Sequence, residues 1–206
     1  MDSLPCSVAS ERNRDPILRV LEALPLVGTR VLEIGTGTAQ HAVYFTQQLP
    51  ELHWQCSDMA HNLPVIQARI DREGGGRLPD AIELDVMALN WPEGPFDAVF
   101  TANTLHIMPW DHTPVLLEQS ARVLAPEGCL VIYGPFHDEG VHSAPSNELF
   151  DRSLKARDSA MGVRDAVVTK SLATAVGLLP EADLALPANN RVLVFRKSTA
   201  APTSND

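Results

Sequence analysis

Short apolar runs, the first three closing at or near an acid, alternate with segments of helical period along most of this chain. RVLEI (30–34) precedes a helix-like stretch over 38–49, LHWQCSD (52–58) one over 63–73, and FDAVFTAN (96–103) one over 113–124. AIELDV (81–86) and CLVIYGPF (129–136) complete five strand-like runs. An opening helix over 11–24 carries Ile17, Leu18, Leu21 and Leu24 at helical spacing. Strands separated by helices pair in parallel, so the pattern predicts an α/β fold with helices on both faces of a mostly parallel sheet. The closing DLALPANNRVLVFRK differs. Its two runs flank a short Pro-Ala-Asn-Asn turn, which joins only antiparallel neighbours, so one antiparallel strand is expected at the sheet's edge.

A length of 206 residues, 45% of them hydrophobic and 20% charged, fits one globular core. The expected layout is a flexible tail over 1–10, a single domain over 11–197 and a compositionally disordered tail over 198–206. Within the domain, the polar, glycine-bearing stretch 134–165 contains a short helix over 147–157. It reads as a lid or acceptor-site segment, since long insertions at a sheet's carboxyl edge tend to carry function. No apolar run is long enough to cross a bilayer and the N-terminus lacks the build of a signal peptide, so no membrane and a cytoplasmic location are expected. Cys6, Cys56 and Cys129 lie far apart with no metal-ligand spacing, which predicts no metal site. A formal net charge of −10 disfavours nucleic acid as the main partner.

The richest stretch is VLEIGTGTAQHAVYF (31–45). Gly35 and Gly37 match the first two glycines of a dinucleotide fingerprint, but Gln40 stands where the third small residue belongs. The acid at Glu33 discriminates further. A carboxylate repels a pyrophosphate and attracts an ammonium. This points to the ammonium- and sulfonium-bearing S-adenosylmethionine. Asp58, closing the second run, is placed to accept from ribose hydroxyls, and Asp85, near the end of the third, from the adenine amine. Open parallel sheets bind ligands at the carboxyl ends of their strands, where all three acids fall.

These motifs together resemble the class I S-adenosylmethionine-dependent methyltransferases: VLEIGTGTA for the glycine turn, CSD for the ribose, LDV for the adenine. SERNRDPIL, GTAQHAVYF, ANTLHIMPW, YGPF, SNELFDRSLKARD and PANNRVLVF are similar to the group known as domain of unknown function 938, of the methyltransferase-like 26 type. The likeness runs over about 11–197, with one departure: Ala39 replaces the turn's third glycine. It implies a Rossmann-like, seven-stranded, mostly parallel sheet with one antiparallel strand near the C-terminus. It also implies in-line methyl transfer to a nucleophilic O, N or S, leaving S-adenosylhomocysteine; the acidic balance points to a small-molecule acceptor. The implied cofactor-binding residues are Glu33, Gly35, Gly37, Thr38, His41, Asp58, Asp85 and Asn103.

Sulfonium methyl transfer needs alignment above all, and a base only where the acceptor must lose a proton. His106, just past the fourth strand, is the candidate base; a loop-capping or cofactor-contacting role is the alternative. Arg12 and Asn13 on one side, and Tyr133, His137, Asn147 and Arg157 on the other, are candidate acceptor contacts. Two rival functions remain: a module that binds S-adenosylmethionine without transfer, and an NAD-dependent oxidoreductase, against which Glu33 and the missing third glycine argue. A nucleic-acid amino-methylase is disfavoured, because Asn-Thr-Leu-His stands where Asn/Asp-Pro-Pro-Tyr would be expected.

Overall fold

The computed structural model describes residues 3–26, 29–88 and 91–199. In chain order the elements are α1 (Val8–Ala23), β1 (Arg30–Ile34), α2 (Gln40–Gln48), β2 (His53–Asp58), α3 (Leu63–Glu73), β3 (Ile82–Glu83), β4 (Phe96–Ala102), α4 (His112–Val123) and β5 (Leu124–Gly134). They continue with β6 (Phe136–Asp138), β7 (Val141–His142), α5 (Pro145–Arg157), β8 (Arg164–Asp165), α6 (Ala166–Ala175), β9 (Leu178–Leu186) and β10 (Asn190–Lys197). Seven strands form the main sheet in the order β3-β2-β1-β4-β5-β10-β9, while β7, β6 and β8 make a small second sheet.

The pairs β2–β3, β1–β2, β1–β4 and β4–β5 are parallel, whereas β10 runs antiparallel to both β5 and β9. The antiparallel strand is therefore not at the edge, as the hairpin had led us to expect. It inserts between β5 and β9, and β9 takes the edge. β10 has the pattern for this place, since Val192, Leu193, Val194 and Phe195 are all buried and need cover on both faces. β9 is largely exposed, as an edge strand tolerates.

Side chains of alternate strand residues point to opposite faces, and each face has its own core. Val31, Trp54, Phe100 and Val131 pack under Ile17 and Leu21 of α1, Phe45 of α2 and Ile66 of α3. Leu32, Ile34, Val99 and Ile132 pack under Leu116 and Leu117 of α4 and Ala166 and Ala173 of α6. Strand order reverses beside β1, with β2 on one side and β4 on the other, so a crevice opens past the ends of β1 and β4. Thr101 Oγ1 donates to the Ile34 carbonyl at 2.9 Å, fixing how far these two strand ends diverge.

Some bounds differ from expectation. α1 starts within the predicted tail because Ser7 caps it, its hydroxyl accepting from Ser10 N at 3.2 Å. β3 is only two residues long; beyond it Leu84 N donates to the Asp58 carbonyl and the chain turns. α5 begins earlier than predicted, at Pro145, and α6 starts at Ala166, where Asp165 accepts from Val167 N and Val168 N. Of the predicted C-terminal tail, 200–206 lie outside the described residues. Among the described residues no helix is long and apolar enough to cross a membrane.

Candidate functional site

The glycine turn crosses the crevice between β1 and α2. Gly35 N and Thr36 N both donate to the Ser57 carbonyl at 3.0 Å, which ties the turn to the end of β2. Gly35 has φ +73°, and a β-carbon there would lie 2.5 Å from Thr104 Oγ1, so only glycine lets the loop after β4 pack this close. Gly37 has φ +64° and nothing within 4 Å of a built β-carbon, while its N–H donates to Asp58 Oδ2 at 2.7 Å. Ala39 also adopts the left-handed region, at φ +57°, and its methyl is buried. The alanine that departs from the family pattern thus occupies a glycine-type conformation at a cost of about 1–2 kcal/mol.

Glu33 lies beneath this turn, not on it. Its side chain is 1% exposed, and Oε2 accepts from Trp54 Nε1 at 2.9 Å and Thr36 Oγ1 at 3.0 Å. Burial pushes its carboxyl up to about 7, partly opposed by those hydrogen bonds. The sequence reading set this acid beside a ligand's ammonium; in the fold it is enclosed and braces the turn from below. Asp58 closes β2 beside the turn and is 7% exposed. Oδ1 accepts from Met59 N and Asn62 Nδ2, both at 2.8 Å, and Oδ2 from Gly37 N alone. A carboxylate oxygen has two lone-pair sites, so Oδ2 retains one. Asp85 Oδ1 accepts from Met87 N at 2.9 Å, closing the turn after β3. Met59 and Met87 follow these two acids and are 41% and 46% exposed, an apolar margin the sequence reading missed. Its signal was a large apolar residue directly or shortly after each acid.

On the other bank, Asn103 holds φ +58° and donates its N–H to the Tyr133 carbonyl at 2.9 Å. His106 follows on the short turn Leu105–Ile107 and is 6% exposed. Its ring meets Phe150 of α5 edge-on at 5.3 Å, and Nδ1 sits 3.7 Å from where a side-chain carbon on Gly134 would be. Burial first, and the Arg164 charge second, lower its pKa to about 4, so the ring is neutral near pH 7. The sequence reading overlooked Arg164. This buried guanidinium donates through Nε to the Leu105 carbonyl at 2.9 Å and through Nη2 to the carbonyls of Met108 and Ala160. Gly162 N donates to the His106 carbonyl at 3.0 Å. The segment after α5 therefore holds the histidine's loop by its backbone.

A second polar group links α1 to the sheet. His41 Nε2 lies 2.6 Å from Asn13 Oδ1, and its ring stacks on Phe45 at 5.3 Å. Burial, then Arg14, lowers this histidine to about 4 as well, so its neutral ring donates to the amide oxygen. Asn13 also lies near the Tyr133 phenol, whose hydroxyl accepts from Asn190 Nδ2 at 2.8 Å. Asn13, His41 and Tyr133 thus come together with Asn190, which had been read only as a turn residue. Thr38 Oγ1 donates to Gln40 Oε1 at 2.7 Å, the same oxygen that accepts from Ser7 N at 2.6 Å. Arg69 joins the Thr38 and Pro5 carbonyls, so the start of the described chain is fastened beside the glycine turn.

The remaining candidates are not gathered here. Asn147 is buried and donates to Ser143 Oγ at 3.0 Å and the Asn189 carbonyl at 2.8 Å, fastening α5 to the β9–β10 turn. His137 lies on the small sheet, where Nδ1 accepts from Gly140 N at 3.1 Å and is 3.5 Å from Asp165. Arg12 and Arg157 are exposed on helix surfaces, with no hydrogen bond or ion pair among the described residues. Among the described residues no group of three or more His, Cys, Asp or Glu side chains could hold a metal ion.

Comparison with known proteins adds to this geometry. A family model described as "Protein of unknown function (DUF938)" matches residues 4–197. The trans-aconitate 2-methyltransferase of Methylobacterium nodulans is 33% identical over 147 residues, covering 70% of this chain and 51% of that enzyme. The chain therefore spans about half the length of this curated relative. Among solved structures, an O-methyltransferase family protein from Burkholderia thailandensis is similar with a TM-score of 0.80 at 16% identity, over 94% of this chain and 58% of that one. Human N-acetylserotonin methyltransferase in complex with S-adenosylmethionine gives 0.77 at 19% identity, over 93% and 53%. The fold is that of the Rossmann-like class I methyltransferases.

Proposed function

The chain belongs to that family of unknown function, and from its glycine turn we propose that it is an S-adenosylmethionine-dependent methyltransferase acting on a small-molecule acceptor. The observation that carries the reading is Gly37. It is left-handed, has free space where a side chain would stand, and has its N–H on the carboxylate of Asp58. A ligand chain can pass over such a residue while its ribose reaches the spare site on Asp58 Oδ2. The fit is good.

When bound, S-adenosylmethionine supplies a methyl group on a sulfonium, already an excellent leaving group. The chain's own residues then orient and exclude water. Gly35, Gly37 and Thr38 form the floor, braced from below by Glu33. Asp58 would accept from a ribose hydroxyl through its one spare site and Asp85 from the adenine amine, with Met59 and Met87 beside the base. Asn103 and His41 shape the opposite wall, His41 through Asn13. The neutral imidazole of His106 accepts the proton of an O, N or S nucleophile that must shed one. Held in line, acceptor and methyl group react as an effectively unimolecular pair. S-adenosylhomocysteine leaves as product. The segment 134–165 is the lid of one domain that opens with α1 at Val8 and closes with β10 at Lys197, and the setting is cytoplasmic.

Thermal-shift measurements with S-adenosylmethionine, S-adenosylhomocysteine and NAD test the reading, because a ligand selective for the folded state raises the melting point. The two adenosyl compounds are expected to stabilise the protein and NAD is not. Stabilisation by NAD alone would make the protein a nicotinamide-binding one.

A further inference from the structure

His106 presents an unusual combination. Its imidazole is 6% exposed, yet neither ring nitrogen has a hydrogen-bond partner among the described residues. Neither nitrogen is among the enclosed side-chain polar atoms that lack a partner, so the ring can be reached from outside the chain, and a ligand hydroxyl can supply the bond that the protein does not. The surroundings restrict that partner. Phe150 stands edge-on to the imidazole at 5.3 Å and is itself 39% exposed, an uncommon exposure for so large an aromatic residue. Ile107, the next residue, is 46% exposed, and Gly134 offers backbone alone.

The cation beside the ring, Arg164, is 6% exposed and turned away to the carbonyls of Leu105, Met108 and Ala160. Its guanidinium lies 5.5 Å from the centroid of Trp110. A carboxylate brought against His106 would lose its water and find no unengaged cation on these neighbours, a costly transfer. A flat apolar ring would lose nothing, and would gain contact with Phe150 and Ile107.

Resting on the methyltransferase reading above, we propose that the methyl acceptor is an uncharged aromatic ring bearing a hydroxyl, seated against Phe150 and Ile107 with that hydroxyl on His106. The step balances without a further reactant. The O–H bond breaks and its proton passes to the open imidazole nitrogen. The oxygen's electron pair forms the new bond to the methyl carbon, and the carbon–sulfur bond breaks with its pair going to sulfur. A neutral methyl ether and a neutral thioether result, and the imidazolium returns its proton to water.

The test pairs naphthol with naphthoate, which share a ring system and differ in the reacting group. Binding to protein saturated with S-adenosylhomocysteine is followed by saturation-transfer NMR, and transfer by label from methyl-labelled S-adenosylmethionine. Naphthol is expected to bind and take label, and naphthoate to do neither. Phe150→Ala should weaken naphthol about tenfold at unchanged S-adenosylhomocysteine affinity, and Phe150→Leu serves if the alanine variant does not fold. His106→Gln should lose label transfer at least a hundredfold while naphthol still binds. Naphthoate binding as well as naphthol, naphthol failing to bind or take label, or indifference to Phe150 would each overturn the acceptor class. Failure of S-adenosylhomocysteine to bind at all would instead remove the function on which it rests.

Discussion

Gly35 and Gly37 share a left-handed backbone but differ in what stands over them, and the difference is measurable. Alanine at either position adopts a conformation that costs about 1–2 kcal/mol. At Gly35 the new methyl also overlaps Thr104, 2.5 Å from its hydroxyl oxygen. Denaturant unfolding should therefore find Gly37→Ala down by about 1 kcal/mol and Gly35→Ala by about 1–3 kcal/mol more. Thr104→Ala should recover part of the second loss, because the two sites touch; equal losses with no recovery would contradict the packing. Asp58→Ala removes charge-assisted acceptors, so calorimetric affinity for S-adenosylhomocysteine should fall by about 1.5–3 kcal/mol. Unchanged affinity would remove Asp58 from the site. Residue identity located the turn, because positive φ leaves few alternatives, and put Asp58 at the close of β2. It could not show that Glu33 is enclosed, since that depends on Trp54, whose indole N–H reaches it from a neighbouring strand.

Strands and helices were legible where period and length were strong, as in β1, β4, α3 and the β9–β10 pair. They were obscure where tertiary contacts decide. β3 shrinks to two residues because Leu84 N is taken by the Asp58 carbonyl and Asp85 caps a turn. The small β7-β6-β8 sheet has strands of two and three residues, too short for any alternation to register. The link between His41 on α2 and Asn13 on α1 joins residues 28 positions apart, and that between Tyr133 and Asn190 spans 57. Arg164 is the same case at greater stake, a lone cation in an apolar stretch whose meaning appears only when the loop after β4 packs on it. Arg164→Ala leaves buried carbonyls unpaired and should destabilise by about 1–3 kcal/mol for each orphaned group. Hydrogen exchange at 105–108 and 160–164 should rise together. Arg164→Lys should rescue little, because one ammonium cannot span carbonyls that a planar guanidinium joins. Faster exchange at only one of the two segments would show that they are not coupled through this side chain.

For the molecule as a whole, three buried titratable groups set opposing pH slopes. Glu33 is raised from 4.5 to about 7, so the stability it contributes is complete below about 4.5 and is lost as pH rises towards 7. His41 and His106 are lowered from 6.5 to about 4, so theirs is complete above 6.5 and is lost as pH falls towards 4. Glu33→Gln keeps an acceptor for Trp54 and abolishes one slope. Its melting point relative to the unsubstituted protein should rise between pH 5 and pH 8, and a constant difference would show that Glu33 is ionised in the fold. The two cores, the strand reversal beside β1 and the fastened N-terminal segment all converge on the crevice at the carboxyl ends of β1 and β4. The central claim is that this crevice receives an adenosyl sulfur compound. A crystal structure of the complex with S-adenosylhomocysteine tests it most directly. The account predicts the ligand laid over Gly35 and Gly37 with a ribose hydroxyl on Asp58 Oδ2 and its sulfur facing His106. A ligand bound elsewhere, or a crevice left empty at saturating concentration, would contradict it.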